Sequence, residues 1–515
     1  MSQVTAKQSF RSFIWDTDTH LKSVEERKLL RKLDAAILSI GCLGFFLKYL
    51  DQNNLTNAYV SGMQEDLKMF GNQYTYAGTF YTCAYAIMQI PSTLIIQKVR
   101  PSYWLGLMEI GWGTFTFAQA GMHSVPQLYT FRFLVGLFES SFFPCMLFIL
   151  GSWYTKTELA KRIAIFHMTA PLGTAFSGYL QAAVYTNLNG RHGLAGWRWL
   201  YIVCGIMTLP VGFATIFLLP DTPHTTRAWY LTKNECALAI ERVEKAGKAA
   251  PVPITWAKVR RMFTRWRWYA LVLGYILYGT SCAASSYFAI WLKAEKFSVT
   301  SRNVIPSGAS LISAFCVISW GFGADYSGSR FAFVIGPLSY GLIPNGILAV
   351  WPKSVKLKEF AFLTDGIQIM TAVFYTWANE ICAGDSEERA IVLSSMNGLQ
   401  YAVAAWLPIV IFPQTEAPTF RRGFLATFGF VIAALIAILL IQFLHTRELK
   451  QKAVMNHDDT EAINPEDILH IESGPIKGIE SGEFREVPTA GAVVSQWNAM
   501  GDRECRLVTG SLRSQ

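Results

Sequence analysis

The stretch GFGADYSGSR, Gly321 to Arg330, lies between two apolar runs and sets an acid, a glycine and a base close together: Asp325, Gly328 and Arg330. The spacing is G-x-x-A-D-x-x-G-x-R. Glycine lets the backbone turn sharply between two helices. An acid and a base in such a turn can pair with groups on neighbouring helices and hold one face of a helical bundle shut. Asp325, Gly328 and Arg330 are therefore candidate gating residues. The plainer alternative is a solvated turn that is merely charged, and the apolar runs on either side bear on the choice.

The chain has 515 residues, of which 52% are hydrophobic and only 16% charged. A soluble domain carries roughly a quarter charged residues. Mean hydropathy is +0.27, and the charges cluster in short segments between long apolar runs. This is the pattern of an all-α polytopic membrane protein. The net charge of +9 suits loops and tails that face anionic lipid. It does not suit nucleic acid, since no basic stripe with interleaved aromatics occurs. Nine cysteines is an odd number, and Cys42, Cys83, Cys145, Cys204, Cys282 and Cys316 lie inside apolar runs with no CxxC pair. They read as packing residues, and no metal or cofactor is expected. An enzyme of the prenyl-transfer type needs a DDxxD-like run; Asp458-Asp459 stands alone in a tail.

Spans of about 20 residues fall at Leu33–Leu50, Thr75–Ile96, Tyr103–Gly121, Leu128–Leu150, Ile163–Tyr185 and Leu200–Leu219, then at Trp268–Leu292, Ile305–Phe322, Phe331–Val350, Glu359–Ile381, Ile391–Ile411 and Gly423–Phe443. Two six-helix bundles, 33–219 and 268–445, are thus expected. A polar, basic linker, 220–267, joins them and contains an amphipathic helix near Lys233–Lys245. Polar tails, 1–32 and 446–515, flank them. Met1 to Lys32 has no apolar core of the signal-peptide kind, and its basic end places both termini on the cytoplasmic side. The second half fits that rule less well, because its outer loops also hold Lys293, Arg302, Lys358 and Arg422. Trp104, Trp153, Trp197 and Trp268 lie near span ends and read as an interfacial belt.

Ionisable groups inside a bilayer are costly and are functional candidates by default. Arg132 and Glu139 in FRFLVGLFES are nearly two helical turns apart and share a face. The guanidinium suits a carboxylate clamp, and Glu139 either holds it in place or carries a proton. Lys48 and Asp51 are neighbours near the end of the first span; Asp51 either pairs with Lys48 or binds a proton, and Lys48 either meets substrate or snorkels to the interface. In FLTDGIQIMTAVFYTWANEI, the side chains of Asp365, Gln368, Tyr375 and Asn379 read as one polar stripe lining a cavity, with Tyr375 and Asn379 as substrate contacts. Histidine ordinarily titrates in the physiological range, which makes His167 a further proton-carrying candidate. Gly173 and Gly178 permit close helix contact.

Several segments together are similar to one family: DLKMFGNQY, RFLVGLFES, LGSWYTKTELAKRIAIF, LNGRHGLAGWRWLYI and WANEICAGDSEERAIVLSSMNG. They resemble the fungal pantothenate transporters, in the allantoate-permease branch of the major facilitator superfamily, and the resemblance runs from about Leu33 to Leu444. The opening stretch likewise resembles the signature loop of that superfamily, with Tyr326 where an arginine is usual. The corresponding loop of the first half, IIQKVRPSYWLG, has no acid. The resemblance implies a major facilitator fold, alternating access, and proton-coupled uptake of a small organic monoanion across the plasma membrane. Pantothenate leads, with nicotinate, biotin or allantoate as other carboxylates and a nutrient sensor on a carrier fold as the other class. On that basis Arg132, Glu139 and Asp51 match the family's charged positions. Gln52 and Lys48 depart from its pattern.

Overall fold

Helices begin where the sequence supplies a cap. Ser23 accepts the amide of Glu26 at 3.1 Å and opens the first helix. Thr155 and Glu158 form a reciprocal capping box, Ser298 and Ser329 cap two more, and Pro101 and Pro126 stand in first turns, where no amide is needed. The computed structural model describes residues 22–96, 98–245, 260, 263–382 and 386–461. The tail before residue 22, linker residues 246–259 and the tail beyond 461 lie outside the described residues. No strand occurs among the described residues.

Among the described residues, twelve helical spans form two six-helix bundles. The first bundle comprises α1 (Val24–Asp66), α2 (Gln73–Ile95), α3 (Pro101–Ala118), α4 (Val125–Trp153), α5 (Lys156–Leu188) and α6 (Gly196–Leu218). The second comprises α7 (Trp266–Ser281, resuming after a break as Phe288–Ala294), α8 (Val299–Ser327), α9 (Arg330–Val350), α10 (Val355–Thr364 and Thr371–Ile381), α11 (Ser386–Ile411) and α12 (Arg421–Glu461). The linker helix is Lys233–Lys245. By packing, the chain divides after Arg447.

Three expectations need correction. The first span does not stop at Leu50. It continues as helix to Asp66, because Asp51, Asn54 and Asn57 are buried and need no exit to water. The tenth span is not one helix. It breaks into a 3-10 turn at Asp365–Gln368, so its polar residues do not form a single stripe. The signature turn is also shorter than the motif. Helix α8 runs to Ser327, and only Gly328, at φ +68°, adopts the left-handed conformation.

One end of the two bundles is clasped. This is the far side, opposite the linker. Lys293 of the second bundle donates to Gln64 Oε1 at 2.7 Å and to the Tyr59 carbonyl at 3.3 Å, and pairs with Glu65 at 2.7 Å. Arg302 reaches the Val60 carbonyl at 3.1 Å and Asn303 reaches Ser61 Oγ at 3.0 Å. The amide of Gln414 donates to Asn72 at 2.8 Å. A Cβ on Gly178 would lie 2.3 Å from the Asn303 carbonyl oxygen, so this glycine lets α5 and α8 touch across the boundary. Lys358 is buried by Glu295 at 3.0 Å and by the Trp291 and Trp351 rings. These basic residues broke the charge-asymmetry pattern in the sequence because they serve contacts between and within bundles.

On the linker side the linker helix docks on the first bundle. Arg242 donates to both oxygens of Glu158, at 2.6 and 2.7 Å, and to Glu26 at 2.6 Å. Lys22 pairs with Glu158 at 2.6 Å, and Lys32 with Glu235 at 2.8 Å. Beside them, Arg162 forks onto Asp34 at 2.6 and 2.8 Å. Burial alone would raise the Glu158 carboxyl, but Arg242 and Lys22 outweigh it and hold it below its ordinary value. A depressed carboxyl adds stability at pH above its unfolded value, which is lost as pH falls through the folded one. Removing one partner of such a buried pair costs about 3–5 kcal/mol. Glu158→Gln is therefore expected to free the linker helix at neutral pH. Limited proteolysis should cut the variant's linker much faster than the parent's, and acidification should bring the parent toward the variant's rate.

Candidate functional site

The first bundle buries four charged side chains near its centre. Lys48 and Asp51 are each 2% exposed, Arg132 3% and Glu139 0%. A glycine sets the geometry of two of them. A Cβ on Gly136 would lie 2.4 Å from the Tyr81 carbonyl oxygen, so α4 can lie against α2 only with glycine there. Arg132 and Glu139 sit one turn to either side of that contact. The Arg132 guanidinium stacks on the Tyr81 ring at 4.6 Å, and the Tyr81 hydroxyl donates to Glu139 Oε1 at 2.7 Å. One tyrosine thus joins base and acid, which make no direct ion pair. Arg132 Nε and Glu139 Oε2 have no partner among the described residues.

Lys48 is not at a helix end and does not snorkel. Its ammonium donates to the Tyr85 hydroxyl at 2.9 Å and lies 4.7 to 5.6 Å from the ring centroids of Tyr85, Tyr49 and Phe45. These π-faces attract a cation without neutralising it. Asp51 does not pair with Lys48. It accepts from Asn54 at 3.2 Å and from Thr208 of α6 at 3.0 Å. Tyr85 in turn lies 4.8 Å from the ring of Tyr401 on α11, so the tyrosine cluster reaches the second bundle.

The other candidates are distributed. His167 sits edge-on to Phe143 at 5.2 Å and to Phe45 at 5.9 Å, in an aromatic setting close to Lys48. Tyr375 packs on Tyr275 at 5.0 Å. Asn379 lies in the last turn of α10, next to Glu380, and is not brought to Arg132. Glu380 belongs to the signature turn: it accepts from Arg330 Nε at 3.0 Å, while Arg330 Nη1 also pairs with Asp325. Arg330 therefore ties the ends of α8, α9 and α10. In the first half the base of the corresponding loop, Arg100, finds its acid after α6. Asp221 accepts from Arg100 Nε at 2.9 Å and from the Ser102 hydroxyl at 2.7 Å.

Sequence reasoning missed Tyr81, Tyr85 and Tyr401. The available signal was the spacing of Tyr81 and Tyr85, four apart in an apolar run, which places two phenols on one helical face. Glu109 is a further buried acid: it takes the Thr215 hydroxyl at 2.6 Å, and its other oxygen has no partner among the described residues.

Residues 41–408 match the Major Facilitator Superfamily. The chain is 36% identical over 451 residues to the MFS transporter PfmaC of Pestalotiopsis fici, covering 85% of this chain and 84% of that protein. It is 33% identical over 475 residues to the pantothenate transporter liz1 of Schizosaccharomyces pombe, covering 91% of each. It is 34% identical over 459 residues to the pantothenate transporter FEN2 of Saccharomyces cerevisiae, covering 87% and 89%. Among solved structures, a bacterial homologue of the human lysosomal transporter Spinster, in an inward-facing and occupied conformation, superposes with a TM-score of 0.61 at 15% identity over 81% of this chain and 97% of that one. That likeness is one of fold.

The Tyr81 hydroxyl is the hinge of this arrangement. Tyr81→Phe leaves the buried Glu139 oxygen without its donor, at a cost of about 1–3 kcal/mol, while the ring under Arg132 is kept. Gly136→Val should cost at least as much, because the added atoms meet backbone rather than a movable side chain. Thermal unfolding of the purified protein in detergent should show both losses, with Gly136→Ala falling between the parent and Gly136→Val.

Proposed function

Because the chain belongs to the Major Facilitator Superfamily, we propose that it is a secondary active transporter that takes up pantothenate together with a proton by alternating access. The carrying observation is the Arg132 guanidinium: buried, stacked on a tyrosine and hydrogen-bonded to no carboxylate among the described residues. Such a cation attracts a substrate anion into the bundle centre. The near full-length similarity to two named pantothenate transporters supplies the substrate.

In this reading the pantothenate carboxylate binds Arg132, with Lys48 as the second cation and Tyr375 and Asn379 as contacts from the opposite bundle as it closes. A proton rides on Glu139 or Asp51, with His167 as a further carrier. Neutralising the acid leaves the guanidinium to the substrate and lowers the cost of moving the site between the two sides. Asp325, Gly328 and Arg330 gate the linker side. The plasma membrane is the location, with the tails, 1–32 and 446–515, and the linker, 220–267, in the cytoplasm. Lipid surrounds the bundles, 33–219 and 268–445.

Uptake of labelled pantothenate by cells lacking their own carrier tests this. Expression of the chain should confer uptake that is faster at acid than at neutral pH and collapses with a protonophore. Arg132→Ala should lower uptake by at least about tenfold, the loss of one charge-assisted hydrogen bond of about 1.5–3 kcal/mol, at unchanged surface expression. Retained uptake in that variant removes the clamp, and indifference to the protonophore removes the coupling. Competition by nicotinate, biotin or allantoate in place of pantothenate would reassign the substrate.

A further inference from the structure

A second polar centre lies in the other bundle, apart from Arg132 and Glu139. Helix α7 loses its regular form between Ser281 and Phe288, and α10 loses it between Thr364 and Thr371. The two breaks touch. Asp365 sits at the start of the α10 break and is 1% exposed. Its Oδ1 accepts from Gln368 Nε2 at 2.7 Å and from Asn345 Nδ2 of α9 at 3.1 Å. No lysine or arginine pairs with it among the described residues.

Neutral donors hold this carboxylate, and further oxygen atoms lie next to them. The Ser281 carbonyl lies 3.5 Å from Gln368 Nε2. Ser285, in the α7 break, donates to Asp365 through both its amide and its hydroxyl. Ser313 of α8 presses on the α10 break so closely that a Cβ on Gly366 would lie 1.9 Å from its hydroxyl. Both Gln368 and Asn345 are fully buried, and their carbonyl oxygens, Oε1 and Oδ1, have no donor among the described residues.

A proton would give Asp365 a single O–H donor, enough for one of the two amide oxygens and not for both. A small hard cation binds many oxygens at once, including carboxylate, amide, hydroxyl and backbone carbonyl. One carboxylate balances one positive charge. Interrupted helices are where membrane carriers present unwound carbonyls to such ions. We propose that the breaks in α7 and α10 form a sodium-ion site built on Asp365, Gln368 and Asn345, with the Ser281 carbonyl, Ser285 and Ser313 as further oxygens. Turning over the two terminal amides replaces the N–H groups on Asp365 with carbonyl oxygens, so the ligand set assembles without moving a helix. The site does not depend on which anion the transporter carries.

The test uses the full chain, purified in detergent, at mildly alkaline pH. Radioactive sodium should bind saturably and be displaced by unlabelled sodium. Sodium chloride should raise the unfolding midpoint above that in choline chloride of equal ionic strength. Asp365→Asn, isosteric and neutral, should abolish both effects. If that variant does not fold, Gln368→Met, which keeps the volume and removes the oxygen, should weaken sodium binding about tenfold or more. No saturable binding by the parent, or equal binding by parent and variant, would overturn the proposal. So would a midpoint that moves with pH and ignores sodium, since that outcome makes Asp365 a proton site alone.

Discussion

A charge taken out of water must be balanced or it destabilises the fold, and the first bundle satisfies this rule in an unusual way. Arg132 and Lys48 are buried among tyrosine rings and hydroxyls instead of carboxylates. Quadrupoles and single hydrogen bonds hold a cation in place while leaving its charge largely uncompensated. Glu139 and Asp51 likewise accept only from neutral donors among the described residues: a phenol, an amide and a threonine. The four groups are thus close without being spent on one another. The contact of Gly136 with the α2 backbone makes this possible, because it brings Tyr81 within reach of both Arg132 and Glu139.

The two surfaces of the protein use the opposite device. On the linker side, Arg162, Arg242 and Arg330 all meet carboxylates directly, and these are the pairs that fix helix ends. The same residue types therefore serve two purposes, and their partners tell the purposes apart. An arginine that meets an acid holds an element in place. An arginine that meets only a ring remains available to a ligand. The second bundle adds a third case, a lone acid among amides at two helix breaks.

The bundles and the charged positions of the first half were legible in the sequence, since apolar runs of spanning length and charges inside them are strong local signals. Partners were not. Shared helical faces made a Lys48–Asp51 pair and an Arg132–Glu139 pair one of the two readings of each, but the fold sends each residue to a side chain on another helix. Glu380 and Asp221 complete the two signature turns from positions distant in sequence, so no spacing rule reaches them. The break in α10 was hidden because FLTDGIQIMT contains no proline. Its carbonyls turn away from the helix under tertiary packing against α7, α8 and α9. Three basic residues of the far-side loops blur the charge asymmetry for a related reason: Lys293, Arg302 and Lys358 are held by contacts between and within bundles, which a count of charges does not see.

Two bonds of the far-side clasp end on main-chain oxygens. Lys293 and Arg302 reach the carbonyls of Tyr59 and Val60, in a widened π-helical turn that contains Gly62 at φ +116°. A backbone acceptor is present whatever side chain the residue carries. These two bonds are therefore encoded asymmetrically. Drift at positions 59 and 60 leaves those two bonds standing as long as the widened turn persists, whereas drift at 293 or 302 removes them. For these two bonds the second bundle carries the constraint, whereas the bonds to Gln64, Glu65 and Ser61 need side chains of both bundles, and the bond from the Gln414 amide to Asn72 reverses the asymmetry.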